Sequence, residues 1–342
     1  SYTEEEKVKY LGVFKAGVDS VLENITYLVG TTEPGAGEGE AELSILFIGN
    51  SFTKDAVEHL PGLLKAAGLD KVQLTHMYYG GRLVSEYYAG WSTSSDYKCY
   101  ECGPGATTWT ETTGKTLKQV AESRSWDIIT IQEHTGNAAA WTWNSTAQTN
   151  LQGLINSAKA TQTGAMPKFY YIMSQAYFNM GKIGSGSQSS ITWTDQAGMW
   201  DVIAAFGKNV MDNVSFDGII STGVMLQNLR TSPLDNDMNL TRDGYHMDNG
   251  ISRYGAACTV FETLITPKYG IKLDSNSYRY AVENTSTSAY CTPVTDANAP
   301  VALKAARYAI ANPYVVTDMS DVKEDLPGNS IGDVEYEEGS KE

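Results

Sequence analysis

The chain has 342 residues, 42% of them apolar and 11% aromatic, and its 25 Lys and Arg against 40 Asp and Glu give a formal net charge of -15. So much apolar sequence supports one large or two small folded domains and excludes disorder along the whole length. The charge argues against a nucleic-acid partner, because neutralising phosphates takes clustered Lys and Arg that the chain does not supply.

The acidity lies at the two ends. Residues 1–42 hold nine acids and three bases, residues 318–342 hold nine acids and two bases, and residues 43–317 carry only -2. A middle with so little net charge suits a neutral substrate or partner. Residues 1–30 read as an amphipathic helix, with Val8, Leu11, Phe14, Val18, Leu22, Ile25 and Leu28 three or four apart. The opening Ser1-Tyr2-Thr3-Glu4-Glu5-Glu6 has neither the basic nor the apolar region of a signal peptide, and no stretch reads as a transmembrane segment. A cytosolic protein and an exported one with a trimmed leader both fit that opening. Residues 31–42, rich in Gly, Glu, Pro and Thr, read as a linker.

Short apolar runs follow at Leu43–Ile48, Val72–Tyr78, Asp127–Ile131, Phe169–Met173 and Asp217–Ser221, in the manner of buried parallel strands. Helical patterns over 54–67, 145–163, 195–213 and 249–265 alternate with them. The alternation predicts one α/β domain over 43–317, with a parallel sheet of about five strands covered on both faces. Connections at 85–116, 134–144 and 176–194 carry Trp91, Trp109, Trp141, Trp143 and Trp193, and loops at the carboxyl ends of parallel strands are where ligands bind in such sheets. A last helix is predicted over 296–312, and residues 318–342 read as an acidic tail or linker.

Cys99, Cys102, Cys258 and Cys291 include one C-x-x-C pair, whose readings are a redox motif, half a zinc site or a short-loop disulfide. Nothing completes a zinc site, and no metal or cofactor is expected. Tyr97 to Gly105 reads as loop, which favours a loop staple or plain structural thiols over redox chemistry.

The first strand runs into Gly49-Asn50-Ser51-Phe52-Thr53, with a helix directly after it. A serine there stands at the carboxyl edge of the sheet, its backbone N–H near a helix N-terminus. The plainer reading makes Ser51 a helix N-cap. Late in the chain comes Asp243-Gly244-Tyr245-His246, in which the aspartate can hold the tautomer of an imidazole general base three residues on. The plainer reading there is a surface turn.

Together the two motifs, with the α/β pattern between them, resemble the SGNH (GDSL-type) hydrolase superfamily over residues 43–266, and most closely its bacterial G-N-S-F branch. The resemblance implies a flavodoxin-like three-layer α/β/α fold and a serine esterase that needs no cofactor. It makes Ser51 the nucleophile, His246 the base and Asp243 its orienting partner. The oxyanion hole implied is the N–H of Ser51 and of Gly81, with Gly80 as the alternative, in Tyr78-Tyr79-Gly80-Gly81-Arg82-Leu83. The wider family's G-x-N-D is missing: the third strand ends in Gln132-Glu133-His134, so Gln132 takes the amide-donor role. Asn50, Gly80, Glu133, His134, Trp141 and Trp143 are the expected substrate contacts. Many such relatives deacetylate polysaccharides, and the aromatic loops offer flat faces to sugar rings. The expectation is therefore an extracellular or cell-surface bacterial carbohydrate acetylesterase. The alternative is a carbohydrate-binding or surface module that keeps the fold without turnover.

Overall fold

The computed structural model describes residues 41–140, 143–178, 195–286 and 288–322. The predicted amino-terminal helix, nearly all of the linker, Trp141, Trp193 and the tail beyond residue 322 lie outside them.

Strands β1 (Leu43–Gly49), β2 (Val72–Tyr78), β3 (Lys98–Cys102), β4 (Thr110–Thr113), β5 (Ile128–Gln132), β6 (Lys168–Ile172) and β7 (Gly218–Ile220) form one sheet in the order β4-β3-β2-β1-β5-β6-β7. The five expected strands are its parallel part, β2-β1-β5-β6-β7. Two more correct the expected count: β3 runs antiparallel to β2, and β4 antiparallel to β3. Neither contains an apolar run, and β4 (Thr-Glu-Thr-Thr) is largely exposed; its Thr residues suit a strand, but only β3, itself added to the edge of β2, gives them something to pair with.

Helices α1 (Ser51–Val57) and α2 (Leu60–Ala66) follow β1, and α3 (Val84–Ala89) follows β2. Next come α4 (Leu117–Glu122), α5 (Thr135–Ala140) and α6 (Ser145–Lys159), then α7 (Gln196–Asn213) between β6 and β7. After β7 lie α8 (Thr222–Thr231), α9 (Ile251–Leu264), α10 (Thr266–Tyr269) and α11 (Ala299–Ala311). The single helix predicted over 54–67 is instead α1 and α2, interrupted just before Pro61, whose ring cannot donate to a continuing ladder.

From β1 the strand order steps one way to β2 and the other way through β5, β6 and β7. Right-handed crossovers therefore place the β1–β2 connection on one face of the sheet and the later ones on the opposite face. The packing agrees, since α9 lies against α1, α2, α8 and α11, whereas α3 and α4 lie against α6, and α5 against α7. This is a three-layer α/β/α fold, and the reversal beside β1 opens a crevice at the carboxyl ends of β1 and β5. All seven residues of β1 are buried, as its near-continuous apolar run requires.

Cys99 and Cys102 sit on β3 rather than in a loop, three residues apart and so on opposite faces. All four cysteines are unpaired and buried, and burial pushes the Cys102 thiol up to about 12. They are structural thiols, not a staple or a redox pair. The segment read as a tail still packs at its beginning, where Met319 is fully buried and its N–H donates to Thr231 Oγ1 at 2.8 Å.

Candidate active site

The serine is placed from behind by β1. A Cβ on Gly49 would stand 2.1 Å from Thr53 Oγ1 and 2.9 Å from Gln132 Oε1, so only glycine lets the strand end pass so close to α1 and β5. The Gly49 carbonyl accepts from Tyr87 Oη (2.7 Å) and meets His76 Nε2 at 3.0 Å. Asn50 is the N-cap of α1, its Oδ1 accepting from the Phe52 N–H at 3.0 Å. Capping thus falls to Asn50, and the Ser51 hydroxyl, at the first position of the helix, is left for another partner.

That partner is His246. Its Nε2 lies 2.8 Å from Ser51 Oγ, and its Nδ1 lies 2.7 Å from Asp243 Oδ2. Asp243 Oδ1 accepts from the backbone N–H of Tyr245 (3.0 Å) and of His246 (2.9 Å), while Gly244 supplies the left-handed φ of +91° that the turn needs. Burial raises the Asp243 carboxyl, but the His246 side chain and these two N–H groups outweigh it and hold the acid well below its ordinary range. A bridge between Thr241 and Met247 closes the loop.

Two supports of this loop escape the sequence. Asp55, one turn after Ser51 and fully buried, accepts from Arg242 Nη1 (2.9 Å), Arg253 Nη2 (2.7 Å) and the Met247 N–H (3.0 Å). Phe52 sets its ring edge against His246, centroids 5.4 Å apart, and against Tyr177, which in turn meets Tyr245 at 4.9 Å. A charged residue inside an amphipathic helix and isolated aromatics give no sequence signal of what they will touch.

The loop carrying Gly80 and Gly81 is pinned beside Ser51. Asn50 Nδ2 donates to the Arg82 carbonyl (3.4 Å), Arg82 pairs with Asp96 (2.9 Å), and the Val84 N–H donates to Glu133 Oε1 (3.1 Å). Gly81 holds φ at +70° with open space where a Cβ would stand. No described group accepts from the N–H of Gly81 or of Ser51.

Several expected contacts change role. Gln132 is fully buried, and because its Oε1 accepts from the Asn50 N–H (3.1 Å) and Thr53 Oγ1 (3.1 Å), its amide nitrogen must point the other way, to the Glu133 carbonyl and Ser174 Oγ. Its donor is used up behind the crevice, so it braces the serine turn rather than facing an oxyanion. Asn50 and Glu133 are likewise buried, at 2% and 4% exposure, and act as ties between loops instead of substrate contacts. Burial, against the pull of the Val84 and His134 N–H groups, pushes the Glu133 carboxyl up to about 7. His134 is half-buried at the start of α5, with Nδ1 near the Asn137 N–H (3.3 Å). Trp143, partly buried, packs edge-on against Phe206 at the margin of the core (5.6 Å). Trp141 lies outside the described residues.

A three-layer α/β/α sheet with a Ser–His–Asp hydrogen-bond relay at its topological switch is the class of protein these features define. Residues 44–296 match the family described as a domain of unknown function, DUF4886, and the chain belongs to that family. It is similar to the crystal structure of a DUF4886 family protein from Bacteroides uniformis, with 25% identity and a TM-score of 0.68 over 82% of this chain and 99% of that one. More distant likenesses are a proposed SGNH hydrolase from Slackia heliotrinireducens (18% identity, TM-score 0.43, 65% of this chain and 98% of that one) and a carbohydrate acetylesterase family member from Sinorhizobium meliloti (16%, 0.39, 67% and 100%). No curated protein matches the chain.

Proposed function

We propose that the chain is an SGNH-type serine esterase that removes small acyl groups, foremost acetyl, from carbohydrates outside the cell. The observation that carries the reading is the unbroken relay from Ser51 Oγ through His246 to Asp243, with contacts of 2.8 and 2.7 Å. His246 Nε2 takes the serine proton as Oγ attacks the ester carbonyl, and Asp243 steadies the imidazolium. The N–H groups of Ser51 and Gly81 receive the oxyanion. His246 returns its proton to the leaving sugar hydroxyl, then activates water to release the acid. Phe52 and Tyr245 flank the histidine, with Tyr177 packed against both of them, which favours a small acyl group. The near-neutral charge of residues 43–317 favours an uncharged glycan.

Hydrolysis of p-nitrophenyl acetate by the wild type, lost in Ser51→Ala, tests the chemistry. Acetate release from acetylated xylan, mannan, pectin and sialosides then tests the substrate class. A folded protein with no turnover of any ester overturns the esterase and leaves the non-catalytic module.

A further inference from the structure

Beside the relay, one turn farther along α1, lies a cavity of about 530 Å³ that none of the relay residues lines. Its size is within the range of small-molecule sites. Tyr100 of β3, Trp109 on the β3–β4 connection, and Tyr278 and Tyr280 from the segment after α10 give it aromatic walls. In that lining, two buried polar atoms have no hydrogen-bond partner among the described residues: Trp109 Nε1, a donor, and Glu58 Oε2, an acceptor. Folded proteins rarely leave such groups unmet, because each forfeits a hydrogen bond to water.

Several of the other polar groups in the lining are committed. His59 spends both ring nitrogens, on Tyr278 Oη (2.7 Å) and the Asn249 carbonyl (2.9 Å), and Arg253 is bound to Asp55. Lys54, its ammonium 4.4 Å from the Tyr100 ring centroid, and Glu58 remain as charges of opposite sign. What fits is an uncharged molecule with a hydroxyl to donate to Glu58, an oxygen to accept from Trp109, and C–H faces to lie on aromatic rings.

We infer that this cavity is a second binding site, for a neutral saccharide ring, separate from the Ser51 cleft. It does not depend on Ser51 being a nucleophile, so the two readings fail independently. The test uses the full chain carrying Ser51→Ala, so that no ester is turned over, titrated calorimetrically with xylotriose, cellotriose, mannotriose and trigalacturonic acid. At least one neutral trisaccharide is expected to bind. Trp109→Phe, which keeps an aromatic face and removes the donor, and Glu58→Gln, which keeps the shape and removes the charge, are each expected to weaken it by about tenfold. Both variants, made with Ser51 intact, are expected to hydrolyse p-nitrophenyl acetate at the wild-type rate if that activity exists, and to melt at the wild-type temperature. The inference is overturned if no neutral trisaccharide binds at 10 mM (roughly the weakest useful range), if binding is unchanged in both variants, or if trigalacturonic acid binds more tightly than every neutral probe.

Discussion

The two halves of the relay are held by different means. Ser51 follows a strand buried on both faces, in register with β2 and β5, and its turn is braced by Gln132, Thr53 and Asn50. His246 stands on a loop closed by a single bridge, whose main tie to α1 is the buried carboxylate of Asp55. The serine therefore inherits the rigidity of the sheet, whereas the histidine depends on polar ties to its loop from Asp55, Gln175 and the Phe178 and Ser288 backbone. Pre-organisation of a relay to a few tenths of an ångström needs both.

The largest effects come from breaking the relay itself. Ser51→Ala is expected to lower kcat by 10⁴-fold or more, and Asp243→Asn by about 10⁴-fold through the wrong histidine tautomer, both at unchanged melting temperature. Turnover of p-nitrophenyl acetate reads the first effect and calorimetry the second. Asp55→Ala separates the halves: it strands two mostly buried arginines and is expected to cost roughly 3–5 kcal/mol of stability, measured by urea unfolding. Activity should fall in the same variant while β1 and Ser51 stay in place in its crystal structure. An undisturbed DGYH loop there would falsify the role given to Asp55.

Gln132→Ala acts on the serine half. It leaves the buried Asn50 N–H without an acceptor, for an expected loss of about 1–3 kcal/mol, and activity should decline in step with stability. If Gln132 faced the oxyanion instead, activity would drop by on the order of a hundredfold with little change in unfolding. A pH-dependent effect concerns Glu133. Its folded pKa of about 7 exceeds the ordinary carboxylate value, so the folded state holds the extra proton and stability declines as pH rises from about 4.5 to 7. Glu133→Gln should flatten that part of the melting-temperature profile; a slope identical to wild type would show that the group titrates normally.

The parallel half of the fold was legible because strands buried on both faces are largely apolar, as Leu43–Gly49 is apart from Ser44. The β3–β4 ribbon was not, since its residues become strands only by adding to the edge of β2. Ser51, Asp243 and His246 were legible as motifs because a turn and a helix start fix them locally. Gln132 misled for the opposite reason: an amide at a strand end looks like a free donor until the Asn50 N–H, 82 residues away in sequence, claims its oxygen and turns its nitrogen inward. Asp55 and Phe52 were invisible in the same sense, because their partners come from the far end of the chain.

The β3–β4 ribbon joins the sheet only through β2, and exposed pairs such as Lys98 with Glu111 (3.0 Å) stud its outer side. Charged edges of this kind discourage sheet-to-sheet association. The connection between the ribbon's strands, residues 103–109, carries Trp109 to the cavity wall, apart from β1, Gly49 and the serine.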